Sequence, residues 1–206
     1  MFLYMSDHYY TKLPESEMIT ETKEVFLRQQ HLTFTTSSGV FSKKGIDFGT
    51  KELIETFEPP TIYGDFLDLG CGYGPVGITL AKAYPERNIT MVDINERALM
   101  LARNNALNNG VEHAEIFNSQ GFDTLKNRSF AAIVTNPPIR AGKKVIYPMM
   151  ENAYNHLLSH GELWVVIQKK QGAPSLIKFL SSFFQEVKEV KRNKGYFIIR
   201  ARKDEK

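Results

Sequence analysis

From residue 65 to residue 201, short apolar runs bounded by turn residues alternate with longer amphipathic ones, and that alternation decides the fold class. The short runs, at 66–69, 89–93, 114–117, 130–135, 162–168, 186–191 and 196–201, are strand candidates. The longer ones, at 75–83, 96–108, 143–158 and 174–184, are helix candidates. Strands separated by helices lie parallel, because each helix carries the chain back across the sheet. The expected architecture is α/β, a doubly wound and mostly parallel seven-stranded sheet. Arg192-Asn193-Lys194-Gly195 is too short for a crossover, so the last two strands form an antiparallel edge hairpin. Pro75 and Asn95 stand where a first helical residue and an N-cap belong. Gly110 and Gly161 stand where helices end in left-handed backbone.

Upstream the signal weakens. Residues 1–30 are polar and weakly periodic and read as an N-terminal arm. The run from Leu32 to Thr36 and Val40-Phe41 flank Ser37-Ser38-Gly39 as a small β-hairpin. Thr50 is placed to cap a helix over 51–57, ahead of Pro59-Pro60. Residues 31–206 then make one domain, with the 31–60 hairpin and helix covering one side of it. A single cysteine, Cys71, excludes an intramolecular disulfide and suits a reducing, cytoplasmic compartment. No apolar run approaches the roughly 18–20 residues of a membrane span. The segment Met1 to Tyr4 is too short for a signal-peptide core.

The chemistry begins in Asp68-Leu69-Gly70-Cys71-Gly72-Tyr73-Gly74-Pro75-Val76-Gly77, which follows the first parallel strand and opens a helix. Glycines there permit a tight turn and let a ligand press against backbone. Asp93 ends the next strand, about 20 residues on, where a carboxylate can grip both ribose hydroxyls. The segment from Gly72 to Gly77 formally matches a dinucleotide fingerprint, so a nicotinamide dinucleotide stays open, as does a purely structural turn. Asp68 argues otherwise: a carboxylate beside the loop repels a pyrophosphate and welcomes an ammonium. S-adenosylmethionine joins an adenosine for Asp93 to an amino-acid end for Asp68. Its expected contacts are Asp68, Gly70, Cys71, Gly72, Gly74 and Asp93, with Ile94 against the adenine face and Asn136 at the methyl.

A second constellation is Ile133-Val134-Thr135-Asn136-Pro137-Pro138-Ile139-Arg140, a buried strand stopped on an amide and two prolines. Residues before proline are held extended, so Asn136 and Pro137 leave the sheet stiffly. The Asn136 amide oxygen and the Pro137 carbonyl can then accept both hydrogens of one exocyclic NH2. That turns the nitrogen lone pair toward a methyl donor and favours a tetrahedral nitrogen in the transition state. The alternative is an ordinary loop in which Asn136 is a turn former.

Asp68 to Gly74, Asp93 and Asn136 to Ile139 together resemble class I S-adenosylmethionine-dependent methyltransferases acting on amino nitrogens. More narrowly, "GVFSKKGIDFGT" (39–50), "LDLGCGYGPVG" (67–77), "TNPPIRAGK" (135–143) and "GELWVVIQKKQGAPS" (161–175) resemble the RsmC-like guanine-N2 methyltransferases of small-subunit ribosomal RNA, in their short YbxB-type bacterial form. The resemblance spans about 31–203. It implies a Rossmann-like sheet, methyl transfer to the 2-amino group of a 16S-type rRNA guanine, and a 39–50 segment folded over the cofactor side. Asn136, Pro137, Pro138 and Ile139 become the catalytic set. Three departures stand out. Ile139 replaces the aromatic residue that often stacks on the extruded base. Gln120 stands where an acidic residue commonly receives the adenine amino group, and an amide oxygen accepts less strongly. A second, degenerate domain has no room in 206 residues.

Arg140, Lys143, Lys144, Gln168, Lys169 and Lys170 follow the fourth and fifth strands, with Gln171 beyond, and are expected to flank an extruded base as RNA contacts. His156 and His160 are four apart on a helix candidate but lack a metalloprotease glutamate, and no metal is expected. The expected partner is ribosomal RNA or the small ribosomal subunit, with the protein a monomer or homodimer and no membrane attachment. Adenine N6 or a protein glutamine amide is the alternative acceptor, and a non-catalytic nucleotide- or RNA-binding module the alternative class.

Overall fold

The computed structural model describes residues 19–40 and 45–205. Residues 1–18 of the expected arm and 41–44 of the 39–50 segment lie outside them. In chain order the elements are β1 Thr20–Leu27, β2 Gln30–Ser37, α1 Phe48–Thr56, β3 Phe66–Leu69, α2 Pro75–Ala83, β4 Ile89–Asp93, α3 Glu96–Asn108, β5 Glu115–Asn118, β6 Phe130–Thr135, α4 Lys143–Asn155, β7 Leu157–Gln168, α5 Ala173–Leu180, β8 Glu186–Asn193 and β9 Tyr196–Arg202. The main sheet has seven strands in the order β5-β4-β3-β6-β7-β9-β8, parallel as far as β7 and antiparallel in its last two pairings. Strand order reverses between β3 and β6, so the crevice for a ligand opens at their carboxyl ends.

All residues of β3 and β6 are buried, which is why both read as mainly apolar runs, broken only by Asp68 and closed by Thr135: each face of the sheet carries helices. On one face, Phe66, Trp164 and Val166 pack with Leu53, Ile54 and Phe57 around α1, with Ile78 and Leu80 of α2, and with Leu99 of α3. On the other, Leu67, Leu69, Ile133 and Val165 pack with Ile146 and Met150 of α4 and Leu176 and Leu180 of α5. Among the described residues no helix is long and apolar enough to cross a membrane.

The N-terminal hairpin exists, but its strands and turn differ from those expected. It pairs β1 with β2, from Thr20↔Ser37 to Leu27↔Gln30, so 20–27 is strand rather than arm and Ser37-Ser38-Gly39 is not the turn. The turn is Arg28-Gln29, both left-handed at φ 47° and 61°, positions that glycine or asparagine usually signals. Arg28 is held there by partners far along the chain. Its backbone N–H donates to Glu55 Oε1 at 2.8 Å, and its guanidinium donates to the Ile54 and Phe57 carbonyls at the end of α1.

The free edge of β2 is completed by side chains. Thr35 N donates to Asn105 Oδ1 at 2.8 Å and Asn105 Nδ2 donates back to the Thr35 carbonyl at 2.9 Å. One helical turn on, Asn109 repeats the pair on Thr33 at 3.0 and 2.7 Å. Two amides spaced i, i+4, one in the last turn of α3 and one at its C-cap, thus act as a substitute strand. Asn105 Nδ2 also donates to the Tyr73 carbonyl, tying the hairpin to the glycine loop. Asn105→Ala strands one buried and two part-buried backbone groups, so urea unfolding is expected to show a loss of about 2–4 kcal/mol. Hydrogen exchange at the Thr35 amide should accelerate with it.

Other expectations move by a few residues. Thr50 is not the N-cap of α1: Asp47 is, accepting from Thr50 N at 3.1 Å. α4 stops at Asn155 rather than 158, because Leu157 already pairs with Phe130 and β7 has begun. Gly161 consequently lies inside β7, and His160 takes the left-handed conformation at φ 61°. Gly161 is needed for closeness: a Cβ there would meet the Leu158, Phe130 and Ala131 carbonyls at 2.9–3.1 Å. His156 and His160 therefore share no helix face; His156 caps α4 and stacks on Phe122. α5 spans 173–180, and the Phe183 and Phe184 rings beyond it pack edge-on against Tyr154.

Candidate active site

β3 ends at Leu69 and the chain turns at once through Gly70 and Gly72, left-handed at φ 77° and 56°. A Cβ on either would meet nothing within 4 Å, so the backbone conformation demands glycine and open space lies over the loop. The Gly70 and Cys71 amides both donate to the Val92 carbonyl at 2.9 Å, which fastens the loop to the end of β4. Gly77 plays a different part. A Cβ there would press within 2.7 Å of Met91 Sδ and 3.0 Å of Asp68 Oδ2. Without one, Gly77 N reaches Asp68 Oδ2 at 2.7 Å.

Two carboxylates face the loop. Asp93 Oδ2 accepts from Gly72 N at 2.8 Å and Oδ1 from Asn95 N at 2.9 Å. Each oxygen keeps a second lone pair, enough for the two hydroxyls of a ribose. Withdrawal from water raises the Asp93 pKa above its ordinary value, opposed by the Asn95, Gly72 and Ile94 amides. Asp68 is more perturbed. Burial raises its pKa to about 7, the Gly77 hydrogen bond lowers it and the neighbouring Asp93 charge raises it further. Burial also pushes the Cys71 thiol up, with the Asp68 and Asp93 charges adding to it, so Cys71 is a loop residue and not a thiolate.

At the neighbouring strand end, Asn136 Nδ2 donates to Thr50 Oγ1 at 2.9 Å, and Thr50 Oγ1 donates to Asp47 Oδ2 at 2.5 Å. Pro138, at φ −72° and ψ 72°, sits at the centre of an inverse γ-turn in which Ile139 N donates to the Pro137 carbonyl at 2.8 Å. One lone pair of that carbonyl is used, and the other remains. Gln168, last residue of β7, donates Nε2 to the Tyr196 hydroxyl at 2.5 Å, directly opposite in register on β9.

A cavity of about 1080 Å³ joins these groups. Asp68, Gly70, Cys71, Gly72, Asp93, Ile94 and Gln120 line it, as do Asn136, Pro137, Pro138, Ile139, Arg140, Gln168 and Gln171. Gly74, Lys143, Lys144, Lys169 and Lys170 are not on its wall. Gly74 is instead the left-handed N-cap of α2, packed on Ile78. Val40, Ile46, Asp47 and Thr50 border the cavity from the 39–50 segment. Asn95 Nδ2 and Arg97 anchor that segment's entry through the Gly39 and Ser38 carbonyls. Sequence reasoning missed Tyr196, Asp47 and the Asn136 partner Thr50. An Asp-x-x-Thr before a helix signals a cap, and only the fold brings it to Asn136, 86 positions away.

Charge divides the surface. Arg140, which lines the cavity, and Lys143, Lys144, Lys169 and Lys170, which do not, are exposed on single 3₁₀ turns after β6 and β7 or at the start of α4. Among the described residues none of the five forms an ion pair. By contrast, Arg192, Arg200 and Arg202 of the edge hairpin are neutralised by Glu189, Glu162 and Glu186.

Residues 31–200 match the family model described as "Methyltransferase small domain". The chain is 50% identical over 200 residues to the uncharacterized protein YbxB of Bacillus subtilis, covering 97% of this chain and all of that one. It is 33% identical over 179 residues to ribosomal RNA small subunit methyltransferase C of Escherichia coli, covering 85% of this chain and 51% of that protein. Among solved structures, the Thermus thermophilus 16S rRNA N2 G1207 methyltransferase, in complex with AdoMet and guanosine, matches with a TM-score of 0.80 at 22% identity. The match covers 92% of this chain and 52% of that one. The chain thus spans about half the length of these methyltransferases, while matching the Bacillus relative end to end.

Proposed function

The chain belongs to the methyltransferase small domain family, in its class I, methyltransferase-C-like branch, and from that premise we propose that it transfers a methyl group from S-adenosylmethionine to the exocyclic N2 amine of a guanine in small-subunit ribosomal RNA. Residues 31–206 act as one methyltransferase domain, working in the cytoplasm. The donor fits the residues present. Asp93 offers two acceptors for the ribose and Asp68 a buried carboxylate for the ammonium. The loop over Gly70 and Gly72 is open to close approach, and Ile94 and Gln120 remain for the adenine. Bound there, S-adenosylmethionine supplies a methyl group already activated on a sulfonium.

The observation that carries the reading is the end of β6, where Asn136 and the Pro137 carbonyl border the same cavity as the two carboxylates. Asn136 Oδ1 and the Pro137 oxygen each accept one hydrogen of the acceptor NH2, fixing its lone pair toward the methyl. Asn136 is no base at neutral pH, so it shares the proton while charge forms on nitrogen, and the proton then passes to water. Gln168 favours guanine over adenine. With Nε2 engaged by Tyr196, its Oε1 is left to accept from a ring N1–H, which guanine has and adenine lacks. Five exposed cations just beyond the ends of β6 and β7, none in an ion pair among the described residues, suit the phosphates flanking an extruded base.

The test is transfer of labelled methyl to small ribosomal subunits and to total RNA from cells lacking the protein, followed by nucleoside analysis. Label in N2-methylguanosine is the expected result. Label in N6-methyladenosine, or in protein alone, would replace guanine by one of the alternative acceptors.

A further inference from the structure

We propose that Asp47 and Thr50 are positioning residues that lock the Asn136 amide with its oxygen as the free end. This inference rests on the methyltransferase reading above. An asparagine amide has two faces of opposite character, and rotation by 180° exchanges an acceptor for a donor. Only the oxygen end can receive an amino hydrogen; the NH2 end would meet the acceptor NH2 donor against donor.

What fixes the choice is the direction of a two-step hydrogen-bond chain. A threonine hydroxyl has one hydrogen, and Thr50 Oγ1 places it on Asp47 Oδ2 at 2.5 Å. Asp47 also accepts from Thr50 N through Oδ1, so both carboxylate oxygens are turned to this one residue. With its hydrogen spent, Thr50 Oγ1 can only accept from Asn136, and the observed partner at 2.9 Å is Nδ2. Oδ1 is left without a protein donor among the described residues. Thr50 is buried at 4% exposure on the first turn of α1, so bulk water does not compete for its hydroxyl.

Neighbouring packing holds the same turn in place. A Cβ on Gly49 would fall 2.5 Å from the Tyr196 ring, so the glycine lets α1 close against β9. The Asp-x-x-Thr of a helix cap is thereby reused to orient a residue just beyond the end of β6.

The test compares Thr50→Val, Thr50→Ser and Asp47→Asn. Valine keeps the volume and removes the hydroxyl. Serine restores the hydroxyl. Asparagine at 47 keeps a cap acceptor for Thr50 N but loses the second oxygen, so the Thr50 hydrogen swings to Asn136 and demands its oxygen. In single-turnover transfer to the small ribosomal subunit, Thr50→Val and Asp47→Asn should slow the methyl step about 30-fold, with adenosylhomocysteine affinity and subunit KM unchanged. Thr50→Ser should come within about threefold of the original rate. A second readout needs no turnover: nitrogen-15 NMR of the ligand-free protein, with the Asn136 side-chain NH2 identified by its loss in Asn136→Ala. Its hydrogen exchange should quicken about tenfold in Thr50→Val and stay slow in Thr50→Ser. Equal exchange in the original protein and Thr50→Val overturns the lock, even if the RNA target proves different. Slow exchange lost in Thr50→Val, with no methyl reaching RNA, supports the lock and overturns the RNA reading alone.

Discussion

Asn136→Ala is expected to lower kcat about 1000-fold while adenosylhomocysteine affinity changes by no more than about threefold. Asn136 is half-buried at a strand end, and among the described residues its side chain makes one hydrogen bond, to Thr50, so its removal costs the fold little. What disappears is an acceptor that strengthens as positive charge develops on the attacking nitrogen. An interaction made mainly in the transition state shows in kcat, not in ground-state binding. Stopped turnovers with labelled cofactor give kcat, and calorimetry with adenosylhomocysteine gives the affinity. Normal turnover in this variant would remove the amide from the chemistry. A parallel loss of cofactor affinity would make Asn136 a binding residue first.

The part of the chain from β3 onward was legible because its physics is local. An all-buried parallel strand reads as a continuous apolar run, as at Phe130–Thr135, and turn residues bound it. The glycine loop, Asp93 and the Asn-Pro-Pro stop are likewise local, because each sits within a few residues of its strand's carboxyl end. The hairpin was legible in its second strand but not in its first strand or its turn. β1 is an edge strand with mostly exposed side chains, so its alternation carries almost no hydrophobic signal. Its turn lacks glycine because Arg28 is held left-handed by α1, a contact 26–29 positions away. The Asn105 and Asn109 pairs on β2 cross 70 and more positions, as does Asn136 on Thr50. Residue type announced what such side chains can bond, and only the assembled sheet decided with whom.

Asp68→Asn is expected to weaken adenosylhomocysteine binding about 100-fold at pH 8 and to stabilise the ligand-free protein at the same pH. Both effects follow from one buried carboxyl whose pKa is raised from 3.8 to about 7. A raised carboxyl pKa means that the folded state favours the protonated form. Its contribution to stability is fully present below the unfolded value near 4 and is lost as pH rises through 7. A shift of that size corresponds to about 4 kcal/mol at pH well above 7. Asparagine carries no charge at any pH, so urea titrations at pH 5 and pH 8 should show the original protein losing stability across that interval and Asp68→Asn losing much less.

Ligand binding runs the opposite way. The ammonium of the amino-acid end pairs with the ionised carboxyl, so from pH 6 to pH 8 affinity should rise about tenfold as Asp68 sheds its proton. In Asp68→Asn that rise should vanish. Methylthioadenosine, which has the adenosine but no amino-acid end, should bind both proteins alike at both pH values. A pH response shared by methylthioadenosine and adenosylhomocysteine would assign the titration to another group and take the ammonium away from Asp68. The carboxylate that weakens the empty fold is, on this account, the one that recognises the donor's charged end, and binding returns the stability that its burial costs.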